Sequence, residues 1–250
     1  ALAGAMTISK KAAAAGFGHI VVVINPDTGP LIKDHIAANW PADKSVSFAI
    51  QERPLGTVHA VLSAHGALDD RVPFGVCNAD DLYGREAMAD LGAHLQSGAG
   101  NCLVAFRLDQ ALVGDQPVTR GVCQVANGYL VAIAERRSVS LGADGFSSAD
   151  GLEPSVLTPD TPVSMNLWGF APAMWQVFSD AMTAAEASEE AEVLLPEIVG
   201  QQVTSGASTF AVITASSRCV GVTHADDLPV VQADIRAQVD AGVRPERAFN

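Results

Sequence analysis

Pro73-Phe74-Gly75-Val76-Cys77-Asn78-Ala79-Asp80-Asp81-Leu82-Tyr83-Gly84 runs an apolar, strand-like segment straight into two adjacent carboxylates. The helix-like run Gly84 to Gln96 follows, with Met88, Leu91 and Leu95 spaced to share one face. Strand, turn and helix in that order are the unit of an open α/β sheet, in which ligands gather at the carboxyl ends of the strands. The same alternation extends upstream. His19 to Ile24 reads as a buried strand closed by Asn25-Pro26-Asp27, Pro30 to Trp40 as a helix with Leu31, Ile32 and Ile36 on one face, Ser47 to Ile50 as a strand, and Thr57 to Ala64 as a helix. Downstream, Cys102 to Leu108 is a further strand. The β-α-β-α order predicts an α/β fold with a mostly parallel twisted sheet and helices on both faces.

The second half changes character. Val118 to Val125 and Tyr129 to Glu135 read as two strands joined through Asn127-Gly128, a hairpin signal. Ser138 to Pro162 is rich in Gly, Ser, Asp and Pro and predicts a long surface loop. Val163 to Phe170 and Thr209 to Ile213 read as strands, and Ala171 to Ala187, Glu192 to Val203 and Asp226 to Ala241 as helices. No repeat or low-complexity linker interrupts the chain. The expectation is a single domain, 1–250, with an α/β half at 1–110 and a small β-rich half at 111–250.

Composition bounds the function. The chain has 250 residues, 48% hydrophobic and 17% charged, enough to bury a sizeable core. With 15 Lys+Arg against 28 Asp+Glu, its formal net charge is −13. A nucleic-acid surface built on bulk positive charge is excluded, and binding an anionic nucleotide requires local donors and a divalent cation. Cys77, Cys102, Cys123 and Cys219 form no C-x-x-C pair and read as free buried thiols of a reducing compartment. No apolar run reaches the ~18 residues of a membrane helix. Lys10 to Ile24 has a superficial likeness to a signal peptide, but His19, Asn25 and Asp27 close in on a short β-branched run. A cytoplasmic protein with no membrane partner is the expectation, and the oligomeric state is open.

Two segments carry the chemistry. In Gln51-Glu52-Arg53-Pro54-Leu55-Gly56-Thr57-Val58-His59-Ala60 a strand ends and a helix begins. Gly56 would allow close approach to the backbone, Thr57 is placed to cap the helix, and Gln51 has both a donor and an acceptor for a nucleobase. An ordinary turn and helix cap reads equally well from the spacing. In the Asp80-Asp81 segment, two carboxylates at a strand end repel each other unless a cation sits there, and Mg²⁺ takes one or two carboxylates plus phosphate oxygens. Asp80 is the better metal candidate, with Asp81 supporting it or capping the following helix. His59, inside a helix, reads as a packing or capping histidine.

Taken together these blocks resemble the sugar-nucleotide pyrophosphorylases, nucleotidyltransferases of the NTP-transferase type. The resemblance rests on Gln51, Leu55-Gly56-Thr57, His59-Ala60, Asn78-Ala79-Asp80-Asp81, Tyr83-Gly84, Arg120-Gly121-Val122, Val163 to Phe170 and Gly221 to Thr223. It implies a Rossmann-like, GT-A-type fold and Mg²⁺-dependent transfer of a nucleoside monophosphate from an NTP to a phosphorylated small-molecule acceptor. By the same resemblance Ala3, Gly4, Gln51, Gly56, Thr57 and Asp80 would contact the nucleotide, and Asp80 would hold the metal. Gly121, Glu135 and Asn166 would meet the acceptor. Arg136 stands where the family commonly has the Lys of a Glu-Lys pair, and would act with Asp80 in catalysis. Plain alternatives are a bulge at Gly121 and an exposed ion pair at Glu135 and Arg136. Asn166 in an apolar run demands hydrogen-bond partners.

The chain departs from the family pattern twice. Only Ala1 to Ala5 is similar to the start of the family's Gly-rich phosphate loop, and about two dozen residues of that pattern are missing between Ala5 and Met6. Lys10 and Lys11, at helix positions, do not replace it. Gly221 stands where the thymidylyltransferases have a second metal-binding aspartate; Asp226 and Asp227 nearby read as the start of the last helix. A glycosyltransferase using a sugar nucleotide, or a nucleotide or sugar-phosphate sensor without turnover, are the rival functions.

Overall fold

The computed structural model describes residues 12, 14–40, 45–112, 116–142, 145–153, 155–188, 192–221 and 227–242. The elements run β1 (Ile20–Ile24), α1 (Gly29–Asn39), β2 (Val46–Ile50), α2 (Gly56–Ser63), β3 (Phe74–Val76), β4 (Asp81–Leu82), α3 (Arg85–Gln96) and β5 (Asn101–Arg107). There follow β6 (Val118–Ala126), β7 (Tyr129–Gly142), β8 (Gly145–Ser147), β9 (Val156–Leu157), β10 (Pro162–Phe170), α4 (Met174–Ser188), α5 (Leu195–Thr204), β11 (Phe210–Thr214), β12 (Val220–Gly221) and α6 (Asp227–Asp240). The strands and helices expected from periodicity are present with ends shifted by a few residues. On α1, Leu31 points to solvent, and Gly29 and Ile36 are the buried positions.

The sheet corrects the expected topology. The large sheet has eight strands, with β11, β5, β10, β6, β7, β8 and β9 in order and β3 also on β10. Only β11–β5 is parallel within it; the remaining pairings are antiparallel. β1 and β2 form a separate parallel pair. The fold is α/β with a mixed sheet. The alternation of strands and helices shows connectivity, but it does not show that β10 enters between β5 and β6 and reverses the direction at the sheet's centre.

The core follows from period-2 alternation on β5. Cys102, Val104 and Phe106 face one hydrophobic cluster, with Met88, Leu91 and Leu95 of α3. Leu103 and Ala105 face the other, with Val58 and Val61 of α2, Met174 and Phe178 of α4, and Ile198 and Val199 of α5. All five of these strand residues are at most 1% exposed, so β5 is buried on both faces and helices cover both sides. The second cluster is rich in rings. Phe170 meets Phe178 and Phe210 edge to face, at centroid distances of 5.1 and 6.1 Å.

The predicted hairpin forms, with Asn127 and Gly128 at φ 52° and 79°, the two left-handed residues that a tight turn of this kind requires. The predicted loop at Ser138 to Pro162 does not. There β7 continues to Gly142, and β8 and β9 add a small antiparallel flap. Arg136 and Asp150 pin that flap. Arg136 Nε and Nη2 donate to Asp150 Oδ2 and Oδ1 at 2.8 and 3.0 Å, and Nη2 also donates to the Leu152 carbonyl at 2.8 Å.

Gly56 has φ 91°, and a Cβ there would run into the backbone of Val193. That close approach is closed by two hydrogen bonds, Val58 N–H to Val193 O and Val193 N–H to Leu55 O, at 3.1 and 3.0 Å. Gly56→Ala is expected to destabilise the fold by at least about 2 kcal/mol, from left-handed strain and the displaced Val193 segment, as read by urea unfolding.

Candidate active site

The site lies where β10 changes partners. The first part of β10 pairs with β6 (Val163 with Val122, Ser164 with Gly121), and the last part with β3 (Trp168 with Val76, Phe170 with Phe74). Pairing with β5 on the other side shifts register between Ser164 and Trp168. At this fork Asn166 adopts φ 57°, a conformation asparagine tolerates better than most residues. Its N–H donates to Ser164 Oγ, and its side-chain oxygen accepts Trp168 Nε1–H, both at 3.2 Å. The Asn166 amide nitrogen is thereby left to the cavity that the fork opens.

That cavity has a volume of about 300 Å³ and a polar wall. Asn78, Asp80 and Asp81 enter from the turn after β3, Thr119, Arg120 and Gly121 from β6, Glu135 from β7, and Ser164, Met165 and Asn166 from β10. The structure therefore brings together five residues singled out in the sequence: Asp80, Asp81, Gly121, Glu135 and Asn166. Gly121 is small for a local reason. A Cβ there would stand 3.2 Å from Glu135 Oε1 and 3.3 Å from the Ser164 Cβ, so its absence lets Glu135 lie across β6. Burial raises the Glu135 pKa, the charge of Glu197 adds to the shift, and Arg120 opposes it.

Arg136 does not join them, which corrects its expected role. Glu135 lies in the cavity, while the Arg136 guanidinium reaches the β8–β9 flap, where Asp150 and the Leu152 carbonyl take it up. Its side chain is 2% exposed and committed to Asp150. The cation of the cavity is Arg120, a residue the sequence reading passed over as part of an Arg-Gly-Val block. Arg120 Nε and Nη2 donate to the Ala111 carbonyl at 3.3 and 3.1 Å, and Nη1 to the Thr119 carbonyl at 2.8 Å. The signal that could have found it is an arginine beside a glycine on a strand facing a carboxylate.

The Asp80-Asp81 doublet divides its work. Asp80 is exposed at the rim, while Asp81 is 6% exposed. Asn78 Nδ2 donates to Asp81 Oδ2 at 2.9 Å. Neither aspartate caps α3, which has no side-chain cap and begins after Gly84. Burial raises the Asp81 pKa, Asn78 opposes the shift, and the charge of Asp80 adds to it. β4 pairs with β12, so a side chain at Gly221 would collide with Asp81 Oδ1; the Asp81 carboxylate fills the space in front of that glycine. Among the described residues no group of three or more His, Cys, Asp or Glu is disposed to hold a metal. Two repelling carboxylates beside a polar cavity nevertheless fit Mg²⁺, which needs few protein ligands.

Tyr83 organises the turn. It is fully buried, donates its hydroxyl to the Met165 carbonyl at 2.6 Å, accepts Asn78 N–H at 3.0 Å, and lies 3.3 Å from Asp81 Oδ2. Burial and the nearby Asp81 charge push its pKa well above that of an ordinary phenol.

The Gln51 segment sits elsewhere. Gln51 and Thr57 line a largely apolar groove of about 780 Å³ between β1 and β3, whose wall includes Val21, Val23, Phe74, Val76 and Asn78. Asn78 borders both spaces. Thr57 does not cap its own helix. Its Oγ1 accepts Leu195 N–H at 2.8 Å and so caps α5 from across the fold. Gly56 is accounted for by Val193 rather than by a ligand. Ala3, Gly4, Lys10, Lys11, Thr223 and Asp226 lie outside the described residues. None of the four cysteines forms a disulfide, and burial pushes the Cys102 and Cys123 thiols up to about 12, far from reactive. No helix among the described residues is long and apolar enough to cross a membrane.

Comparison with known proteins gives a family match over part of the chain and a shared fold over most of it. Residues 5–112 match the nucleotidyl transferase family. The matched segment contains the Gln51 turn and the Asp80-Asp81 turn. No curated protein matches the chain. Among solved structures it is similar in fold to a UDP-glucose pyrophosphorylase complexed with UDP-glucose, with a TM-score of 0.62, 13% identity, and coverage of 93% of this chain and 87% of that one. A UDP-glucose pyrophosphorylase from Acinetobacter baumanii superposes with the same TM-score of 0.62 at 14% identity, covering 98% of this chain and 85% of that one.

Two outcomes test this account. Tyr83→Phe strips a buried carbonyl and a backbone N–H of their partner, and should cost about 1–3 kcal/mol in denaturant unfolding. The Asp150 pKa is lowered, chiefly by Arg136. Its contribution to stability is therefore present above the unfolded carboxylate value of about 4 and lost as pH falls through that value toward the folded one. Asp150→Asn should lower the urea midpoint at pH 7 and flatten its decline below about pH 4.

Proposed function

We propose that the chain is a nucleotidyltransferase that moves a nucleoside monophosphate from an NTP to a sugar-1-phosphate-like acceptor, releasing pyrophosphate. The observation that carries the reading is the cavity at the β10 fork, where Asp80, Arg120, Glu135 and Asn166 converge beside the groove that contains Gln51. The family match over residues 5–112 supports the reaction class.

In this reading an oxygen of the acceptor phosphate attacks the α-phosphorus of the NTP in line. The bond to the bridging oxygen breaks, and pyrophosphate leaves with its electron pair. The protein must align two anions and neutralise their charge. Arg120, held by two backbone carbonyls, meets the acceptor phosphate in place of Arg136. Glu135 accepts hydrogen bonds from acceptor hydroxyls, Asn166 donates its free amide N–H, and Gly121 leaves room for them. Gln51 reads the base at the edge of the groove, with Gly56 and Thr57 holding α2 and α5 around it. Asp80 is the residue that would hold Mg²⁺, with Asp81 beside it, and the ion when bound supplies positive charge to the triphosphate oxygens.

The net charge of −13 makes such local positive groups necessary. Release of pyrophosphate from a panel of NTPs and sugar 1-phosphates with Mg²⁺ is the direct assay; release of free nucleoside diphosphate from a sugar nucleotide would favour a glycosyltransferase instead. Asp80→Asn should lower turnover at least about 100-fold with the fold intact. Arg120→Ala should raise the acceptor KM about 10- to 100-fold. Arg136→Ala should instead lower the melting temperature.

A further inference from the structure

Gln51 is held in a way that its motif does not disclose. Its amide nitrogen Nε2 donates to the Gly56 carbonyl at 3.1 Å and to Nδ1 of His59 at 3.2 Å. The Gly56 carbonyl can only accept, so it settles which end of the amide is nitrogen. His59 Nδ1 must then carry its lone pair, with the ring proton on Nε2. A primary amide has two N–H groups, and here both are spent inside the protein. What Gln51 offers to the groove is its carbonyl oxygen alone.

We propose that His59 is a positioning residue for nucleobase selection. By engaging the second N–H of Gln51, it turns an ambivalent amide into a pure acceptor. A base that presents a ring N–H on that edge, as uracil and thymine do, satisfies the exposed oxygen. Cytosine presents an unprotonated ring nitrogen there, and two acceptors then face each other with neither satisfied. Discrimination of this kind rests on leaving a polar group unpaired, which penalises the wrong ligand more than a weak contact rewards the right one. The inference rests on the proposal that Gln51 faces the base, and it goes further by naming the residue that holds Gln51 as an acceptor.

His59 suits the task by position. It lies two residues after Thr57 on α2, and its backbone carbonyl accepts the Ser63 hydroxyl within the same helix at 2.8 Å. The ring is half-buried and rides on an element anchored by Val58 and Val61 in the core. Gln51 follows the last residue of β2, and its N–H donates to the Ile24 carbonyl at 2.8 Å. Donor and acceptor are thus carried by two separately tied elements.

The test compares UTP and CTP, each with Mg²⁺, by calorimetric titration of the full chain and its variants. The wild-type protein should prefer UTP. His59→Leu removes the acceptor and frees one N–H, and should lower the UTP-to-CTP preference by about tenfold, mainly through tighter CTP binding. His59→Asn places an oxygen near the Nδ1 position and should restore the preference. A simple loss of folding would weaken both nucleotides together and would not be rescued in the ratio. If His59→Leu keeps the wild-type ratio while Gln51→Ala abolishes it, Gln51 reads the base without this lock and the inference is overturned alone. If Gln51→Ala keeps the ratio as well, or the wild-type protein shows no preference, the placement of the base at Gln51 falls, and the inference with it.

Discussion

The Tyr83 hydroxyl sits at the one place where the central strand lacks a neighbour. Around Met165, β10 has left β6, has not yet reached β3, and is out of register with β5. A buried carbonyl there needs a donor, and the phenol supplies it. The same oxygen receives Asn78 N–H, which fixes the turn that bears Asp80 and Asp81. One buried group thereby repairs the sheet and sets the site, and the gap it repairs is the gap that becomes the cavity.

The site's electrostatics follow from that placement. An acidic chain gathers Asp80, Asp81 and Glu135 around one space and lends it Arg120 as the lining cation. Burial raises the pKa values of Asp81 and Glu135, so the charged forms of these carboxylates are held at a cost to the fold. Arg136, the more obvious basic candidate beside Glu135, serves the β8–β9 flap through Asp150. Of the two guanidiniums, Arg120 lines the cavity and Arg136 pins the flap.

How much of the site was legible depended on how local its cause was. Asp80 and Asn166 could be singled out because a polar residue at a strand end, or inside an apolar run, demands an explanation from its neighbours in the chain. Glu135 came with the family pattern. Gly121 came with the motif. Arg120 was not singled out, because its importance depends on the fork that opens beside it. Gly56 and Thr57 were read as a ligand approach and a local helix cap, whereas the partners that explain them are Val193 and Leu195, more than 130 residues away in the chain. His59 could not be assigned from helix position, because its partner Gln51 lies on the far side of a turn.

Hydrophobic periodicity and turn chemistry by themselves determined the elements: the β1-α1-β2-α2 alternation, the amphipathic α3, and the Asn127-Gly128 hairpin are each dictated by interactions within a few residues. Strand direction and neighbourhood were decided only in the tertiary structure. An apolar run such as Cys102 to Phe106 announces that both its faces are buried, but its edges carry the same backbone donors and acceptors whichever strand lies alongside. Which partner wins depends on packing across the whole core, and that choice put β10 between β5 and β6, made the sheet mixed, and opened the cavity where β10 changes partners.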